Sequence, residues 1–299
     1  MYYNSTSSNP TSPKDAATVI LIRENSKKPF ELFLMRRNKN QSFMGGAFVF
    51  PGGALDSADC DPSLSGYSSG LSPDKAALLL NETEITTDRA FGLFFTAIRE
   101  TFEESGVLLA DIDGNLKKPE NKNGFFSKYR KMLHEGSATL KDFAEKENIR
   151  YNLNLLMPYA RWITPEVEGK RFDTRFFIAK TPDDQKPSHD SIELVDSLWL
   201  TPAEALEKQR KKEILLMPPT LKTIEELSVY SDSEQLFSPT GVRKITPILP
   251  QTFQTENGFG VKLPCDPEYT IPVYKQPARK NETSRIVMID GRWETRCVN

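Results

Sequence analysis

Short apolar stretches separated by polar turns dominate the N-terminal third of the chain. Ala17–Glu24 (ATVILIRE) and Phe30–Arg37 (FELFLMRR) are rich in branched and aromatic residues, and the polar NSKKP between them predicts a β-hairpin. Gly46–Asp56 (GAFVFPGGALD) predicts a third strand running into a Pro-Gly-Gly turn. The next segment, SADCDPSLSGYSSGLSPDK, is dense in Ser, Gly, Pro and Asp and reads as loop, with a helical turn or two in PDKAALLLNETE. The period then becomes helical: Phe91, Phe94, Phe95, Ile98 and Phe102 fall on one stripe, the expected buried face. Thr87 or Asp88 is placed to cap the start of that helix, and Gly106 to stop it.

Gly124–Glu135 and Ala138–Lys146 have the spacing of short amphipathic helices, while YARWIT and Lys170–Lys180 (KRFDTRFFIAK) read as strands. DSLWLTPAEALEKQRKK predicts a strand followed by a helix with Thr201 as N-cap, Pro202 in its first position and Glu204 in its third. A further helix starts at Pro218 or Pro219; beyond residue 240 the chain is proline-rich and irregular until a closing hairpin in SRIVMIDGRW.

Composition narrows the function. The 299 residues carry a formal charge of -2, which gives no general attraction to nucleic acid or to an anionic membrane. No apolar run approaches the ~20 residues of a membrane-spanning helix. The start, MYYNSTSSNPTSPKDAA, lacks the basic and apolar regions of a secretory signal and reads as a disordered tail over residues 1–15. Three cysteines, Cys60, Cys265 and Cys297, form neither a zinc spacing nor a disulfide framework, so a reducing intracellular compartment is expected. With two histidines in the chain, any metal site must rest on oxygen.

One helix holds the sharpest candidate chemistry. Glu100, Glu103 and Glu104 stand at i, i+3 and i+4, where like charges repel by roughly 0.2–0.5 kcal/mol per pair. They lie opposite the aromatic stripe, which favours a solvated charged face. The alternative is a hard divalent cation held on carboxylate oxygen.

Gly53-Ala-Leu-Asp56 after a strand, then Arg99-Glu100-x-x-Glu103-Glu104-x-Gly106-Val107, resemble the nudix hydrolase signature G-x5-E-x7-R-E-U-x-E-E-x-G-U, where U is aliphatic. Thr101 occupies an aliphatic slot, Ser57 to Thr87 separate the two halves, and the slot eight residues before Arg99 holds Phe91, which leaves Arg99 without an acidic partner. QSFMGGAFVFPGGALD, Trp162–Pro165, Arg171–Phe177, Pro218–Pro219 and Leu263–Tyr269 are similar to the nudix-motif-19 branch of coenzyme A diphosphatases.

The resemblance implies an α/β/α sandwich with a mixed sheet: a domain over 16–210 with insertions near 57–87 and 115–150, and an extension over 211–299 packed on it. It implies Mg²⁺ or Mn²⁺ held by Glu100, Glu103, Glu104 and the carbonyl of Gly52. Glu103, Arg99 and Glu193, six residues before Trp199, are then the catalytic group, Glu193 as base or extra ligand. Arg36, Arg37, Gly53 and Arg175 are the substrate-binding candidates. The implied substrate is a small nucleoside-diphosphate derivative, coenzyme A or acyl-CoA, split into 3′,5′-ADP and (acyl-)4′-phosphopantetheine. ADP-ribose, a dinucleotide, or nucleotide binding without turnover are the alternatives. No nucleic acid or integral membrane contact is expected. The expected compartment is the cytoplasm in a bacterium, or the mitochondrion or peroxisome in a eukaryote. The insertion is expected to shape access rather than chemistry.

Overall fold

In the computed structural model, which describes residues 11–25, 28–40, 44–112, 125–189, 194–238, 245–256 and 258–298, β1 (Lys14–Asn25) and β2 (Lys28–Arg37) form the expected antiparallel pair. β1 begins at Lys14, so Lys14 and Asp15 belong to the sheet and not to the tail expected over 1–15; residues 1–10 lie outside the described residues. Pro51 has no N–H for a ladder. The single strand expected over Gly46–Asp56 is accordingly two short ones, β3 (Phe48–Val49) on β2 and β4 (Gly52–Ala54) on β1.

The segment that follows is more ordered than a loop. Asp56 and Asp61 cap two 3-10 turns, Ser57–Cys60 and Pro62–Tyr67. β5 (Ser68–Ser69) and α1 (Pro73–Leu80) come next, α1 starting at the Ser72 cap and stopping at Asn81 in the left-handed conformation. Short capping side chains at each start make these turns, which composition alone does not reveal. α2 (Thr87–Ser105) is capped by Thr86, whose Oγ1 accepts from Arg89 N–H at 3.3 Å, one residue earlier than expected. It ends at Gly106, whose φ of +73° suits glycine.

Then come β6 (Ala110–Ile112), α3 (Phe125–His134), α4 (Leu140–Glu147), β7 (Ile149–Asn152), β8 (Met157–Ile163), β9 (Phe172–Lys180) and β10 (Leu194–Leu200). α5 (Pro202–Arg210) starts on the expected Thr201–Glu204 capping box, followed by α6 (Pro218–Leu227) and α7 (Ser233–Phe237). The last strands are β11 (Pro247–Ile248), β12 (Gln251–Thr255), β13 (Gly258–Lys262), β14 (Arg285–Ile289) and β15 (Arg292–Arg296).

The main sheet runs β10-β2-β1-β9-β8-β11, with β3 and β4 attached to β2 and β1. It is mixed: β1 is parallel to β9, and antiparallel to β2. β1 is buried on both faces, as its near-continuous apolar run requires. Ala17, Val19 and Leu21 join a core with α2, whereas Ile20 and Ile22 join one with Leu221 and Ile224 of α6. These two cores make the α/β/α sandwich. Val261, Ile286 and Trp293 belong to the second core, and the irregular end expected beyond residue 240 contains an antiparallel sheet, β12-β13-β14-β15. Its last turn places Asp290 and Gly291 at φ +47° and +78°, the pattern of a two-residue hairpin turn. Among the described residues no helix is long and apolar enough to cross a membrane.

Candidate active site

α2 is covered on nearly every side, and this overturns the solvated-face expectation for its glutamates. Glu103 and Glu104 are each 7% exposed. β4, the Ser57–Cys60 turn and α3 pack on the helix, so the face opposite the aromatic stripe is also interior. A stripe locates one buried face; it does not say what other elements cover the rest.

The glycine turn meets this face directly. Gly52 N–H donates to Glu104 Oε2 at 2.8 Å. A Cβ on Gly53 would collide with the Glu100 carboxylate, and one on Gly52 with the Ala17 carbonyl and Thr18 of β1. Two residues without side chains therefore let the carboxylates of Glu100 and Glu104 and a strand end share one small volume.

Arg99 holds the cluster from behind. Its Nε and Nη2 donate to Asp59 Oδ1 and Oδ2, each at 2.9 Å, and Nη2 also donates to the Ala54 carbonyl at 2.9 Å. Its Nη1 donates to Glu100 Oε1 at 2.8 Å and to Glu103 Oε1 at 3.2 Å. Asp59 is 2% exposed and also accepts from Thr96 Oγ1 at 2.8 Å. It belongs to the inserted segment, so the expectation that this segment serves access alone is corrected. Counting six residues forward from Gly53 lands on Asp59, the slot of the first acid of the signature. Counting eight residues backward from Arg99 stops at Phe91, short of the insertion that separates Arg99 from Asp59, which hid the partner.

Burial opposes the charge of Arg99, but Glu100, Asp59 and Glu103 outweigh it and hold its pKa above the usual arginine value. Glu103 is pushed up to about 7 by burial, Arg99 working against this and the charges of Glu100 and Asp59 adding to it. Among the described residues no three acidic, histidine or cysteine side chains stand grouped for a metal as placed; Glu100 and Glu103 turn to Arg99, and Glu104 to Gly52.

A second arginine closes the end of α2. Arg130 of α3 donates to the carbonyl of Glu103 from Nε at 3.1 Å and Nη2 at 3.0 Å, to that of Glu104 at 3.0 Å and to that of Ser188 at 3.1 Å. Ser188 N–H in turn donates to the Ser105 carbonyl. Nothing in the spacing of the chain pointed to Arg130.

Gly52, Gly53, Glu100 and Glu104 line a cleft of about 470 Å³, whereas Glu103, held by Arg99, is not among its lining residues. Of the expected substrate residues, Gly53 and Arg37 line it. Arg36 does not; it lies 3.8 Å from Asp196 of β10. Arg175 is corrected: its guanidinium sits in a buried network with Asp15 and Glu82, away from the cleft lining. Glu193 lies outside the described residues. Lys14, Lys170, Trp162 and Trp293 line the cleft without having been expected as substrate residues.

Residues 13–227 match the family model of the NUDT19 Nudix domain. The chain is 28% identical to acyl-coenzyme A diphosphatase NUDT19 of Xenopus laevis, with 83% of this chain and 73% of the relative covered. It is 28% identical to the human protein of that name, with 80% and 72% covered. Among solved structures, a nudix hydrolase from Alicyclobacillus acidocaldarius superposes with a TM-score of 0.62 at 26% identity, covering 78% of this chain and 99% of its own. A family match over most of the chain, on a sandwich whose glycine turn meets the RE-x-x-EE helix, makes this protein a nudix hydrolase of the NUDT19 Nudix domain family.

Proposed function

We propose that the chain hydrolyses the diphosphate of coenzyme A or acyl-CoA with Mg²⁺ or Mn²⁺, giving 3′,5′-ADP and (acyl-)4′-phosphopantetheine. The observation that carries this reading is the meeting of Gly52 and Gly53 with Glu100 and Glu104 in the lining of one cleft, with Glu103 joined to Glu100 through Arg99, itself braced by Asp59. The relatives named acyl-CoA diphosphatases support the choice of substrate.

The donor set suits a hard cation: carboxylate oxygens and a backbone carbonyl, with glycine in place of any obstructing Cβ. A bound Mg²⁺ or Mn²⁺ would neutralise diphosphate oxygens and acidify a water. Glu100, Glu103 and Glu104 would hold the cation, and Arg99, itself fixed by Asp59, would keep Glu100 and Glu103 at the site. Burial raises the proton affinity of Glu103 in the metal-free site, and a bound cation would hold it as a deprotonated ligand. Glu193 is the proposed partner base from the segment before β10. Lys14, Arg37 and Lys170 are the cations along the cleft for the remaining phosphate.

Hydrolysis of coenzyme A, dephospho-coenzyme A and ADP-ribose, with and without Mg²⁺ or Mn²⁺, tests the reading. Turnover should need metal and fall by about a hundredfold or more in Glu104→Gln. Coenzyme A should exceed dephospho-coenzyme A about tenfold in kcat/KM, a difference of ~1.4 kcal/mol in transition-state binding. Equal cleavage of all three substrates would overturn the coenzyme A assignment.

A further inference from the structure

Where α2 ends, its main-chain groups are paired one after another, and the connection between β9 and β10 supplies several of the partners. The Phe102 carbonyl accepts from Gly106 N–H, those of Glu103 and Glu104 accept from Arg130, and that of Ser105 accepts from Ser188 N–H at 2.9 Å. Val107 N–H donates to Ser105 Oγ at 3.2 Å. Both groups of Leu108 then go to one side chain. Its N–H donates to Gln185 Oε1 at 2.8 Å, and its carbonyl accepts from Gln185 Nε2 at 2.9 Å.

A primary amide that pairs both groups of one residue does what a neighbouring strand would do. Leu108 is 1% exposed, so these two bonds sit against the core. Gln185 is set for them by a turn of its own, its N–H donating to the Pro182 carbonyl at 3.0 Å. Around it Asp183, Asp184, Lys186 and Ser188 are exposed. A segment with so little buried surface is held by its hydrogen bonds more than by packing. Three residues on, Ser188 donates to Ser105 and accepts from Arg130 Nη2, the nitrogen that also serves the carbonyls of Glu103 and Glu104.

The consequence falls on the glutamates. Arg99 and the Gly52 N–H hold carboxylates, whereas Gln185, Ser188 and Arg130 hold the backbone of the turn that carries Glu103 and Glu104. Glu100 lies a turn earlier, outside these contacts. A shift of the last turn would therefore move two of the three carboxylates against the third. We propose that Gln185 is a positioning residue: through Leu108 and Ser188 it fixes the last turn of α2, and so the placing of Glu103 and Glu104 relative to Glu100. This rests on the reading of the three glutamates as cation ligands.

The test reads cation binding directly. Mn²⁺ binding to the full chain, without substrate, is measured by calorimetry for wild type, Gln185→Ala and Gln185→Glu. Thermal melts in EDTA and the kinetics of coenzyme A hydrolysis at saturating Mn²⁺ accompany it. Gln185→Ala should weaken Mn²⁺ about tenfold, the scale on which the supports of metal ligands act. It should lower kcat by a similar factor and leave KM within about twofold of wild type. Gln185→Glu keeps the acceptor for Leu108 N–H and loses the donor to its carbonyl, so its Mn²⁺ affinity should fall between the two. A segment that serves the fold alone would lower Tm and leave Mn²⁺ affinity and kcat, measured well below Tm, as in wild type; that result overturns the positioning role and leaves the cation reading intact. A wild type that binds no Mn²⁺ overturns the cation reading, and the positioning role with it.

Discussion

Gly52 and Gly53 are adjacent and chemically identical, yet their surroundings predict different failures. A Cβ on Gly53 meets the Glu100 carboxyl, the movable end of a side chain, while a Cβ on Gly52 meets the backbone of β1. Gly53→Ala should therefore keep its Tm within a few degrees of wild type and lose turnover at least about tenfold, because Glu100 is pushed off its position. Gly52→Ala should lower stability by about 1–3 kcal/mol as well, the cost of overpacking against a strand that cannot yield. Denaturant midpoints and kcat for the pair check this; equal stability loss in both would contradict the distinction. At this scale the sequence was informative where function is local. The glycine pair, Arg99 and the three glutamates declare themselves by spacing, and the structure brings them together. Asp59 was hidden because an insertion separates it from Arg99 and breaks the register of the signature.

Elements decide whether such residues meet, and here periodicity was a partial guide. The stripe from Phe91 to Phe102 is buried as expected, but so are Thr96, Thr101 and Glu104, because β4, a 3-10 turn and α3 enclose the helix. The opposite face of a helix is solvated only when nothing else packs there, and that depends on contacts distant in sequence. The end of α2 illustrates the same dependence. Its final carbonyls carry the negative end of the helix dipole, and Arg130 satisfies those of Glu103 and Glu104 from a different helix. Arg130→Met should cost about 1–3 kcal/mol, since it strands buried acceptors. It should also weaken metal binding, because the two carbonyls belong to two of the glutamates. Arg130→Lys keeps the charge without the fork and should recover part of both. Thermal melts with and without Mn²⁺ check this: a destabilised Arg130→Met that retains the wild-type metal-induced shift would limit the arginine to a packing role.

The molecule as a whole joins these parts through charge. The ion pairs of the insertion include Asp59 with Arg99, and Glu82 with Arg175 of β9, which also pairs with Asp15 of β1. The acidic cluster around Arg99 leaves a signature in stability. Glu103 titrates near 7 in the folded protein against an ordinary value of 4.5, chiefly because burial disfavours its charge. Between those values the native state binds more protons than the unfolded chain, so its contribution to stability is full below about pH 4.5 and is lost as pH rises through about 7. At ~1.4 kcal/mol per pKa unit, the loss is roughly 3 kcal/mol at most. In chelator, wild-type stability should therefore carry this decline between about pH 5 and 7.5, and Glu103→Gln, which does not titrate, should lack it. A divalent cation held by these carboxylates, as proposed, would reverse the balance, since it would bind their deprotonated forms and displace protons. The stabilisation from a fixed Mn²⁺ concentration should accordingly grow with pH over the same interval in wild type and be much smaller in Glu103→Gln. Chemical denaturation at a series of pH values, with EDTA or Mn²⁺, measures both slopes. Parallel curves for wild type and Glu103→Gln in EDTA would remove Glu103 as the titrating group. A metal-induced gain that does not change with pH would remove protonatable carboxylates from the metal site.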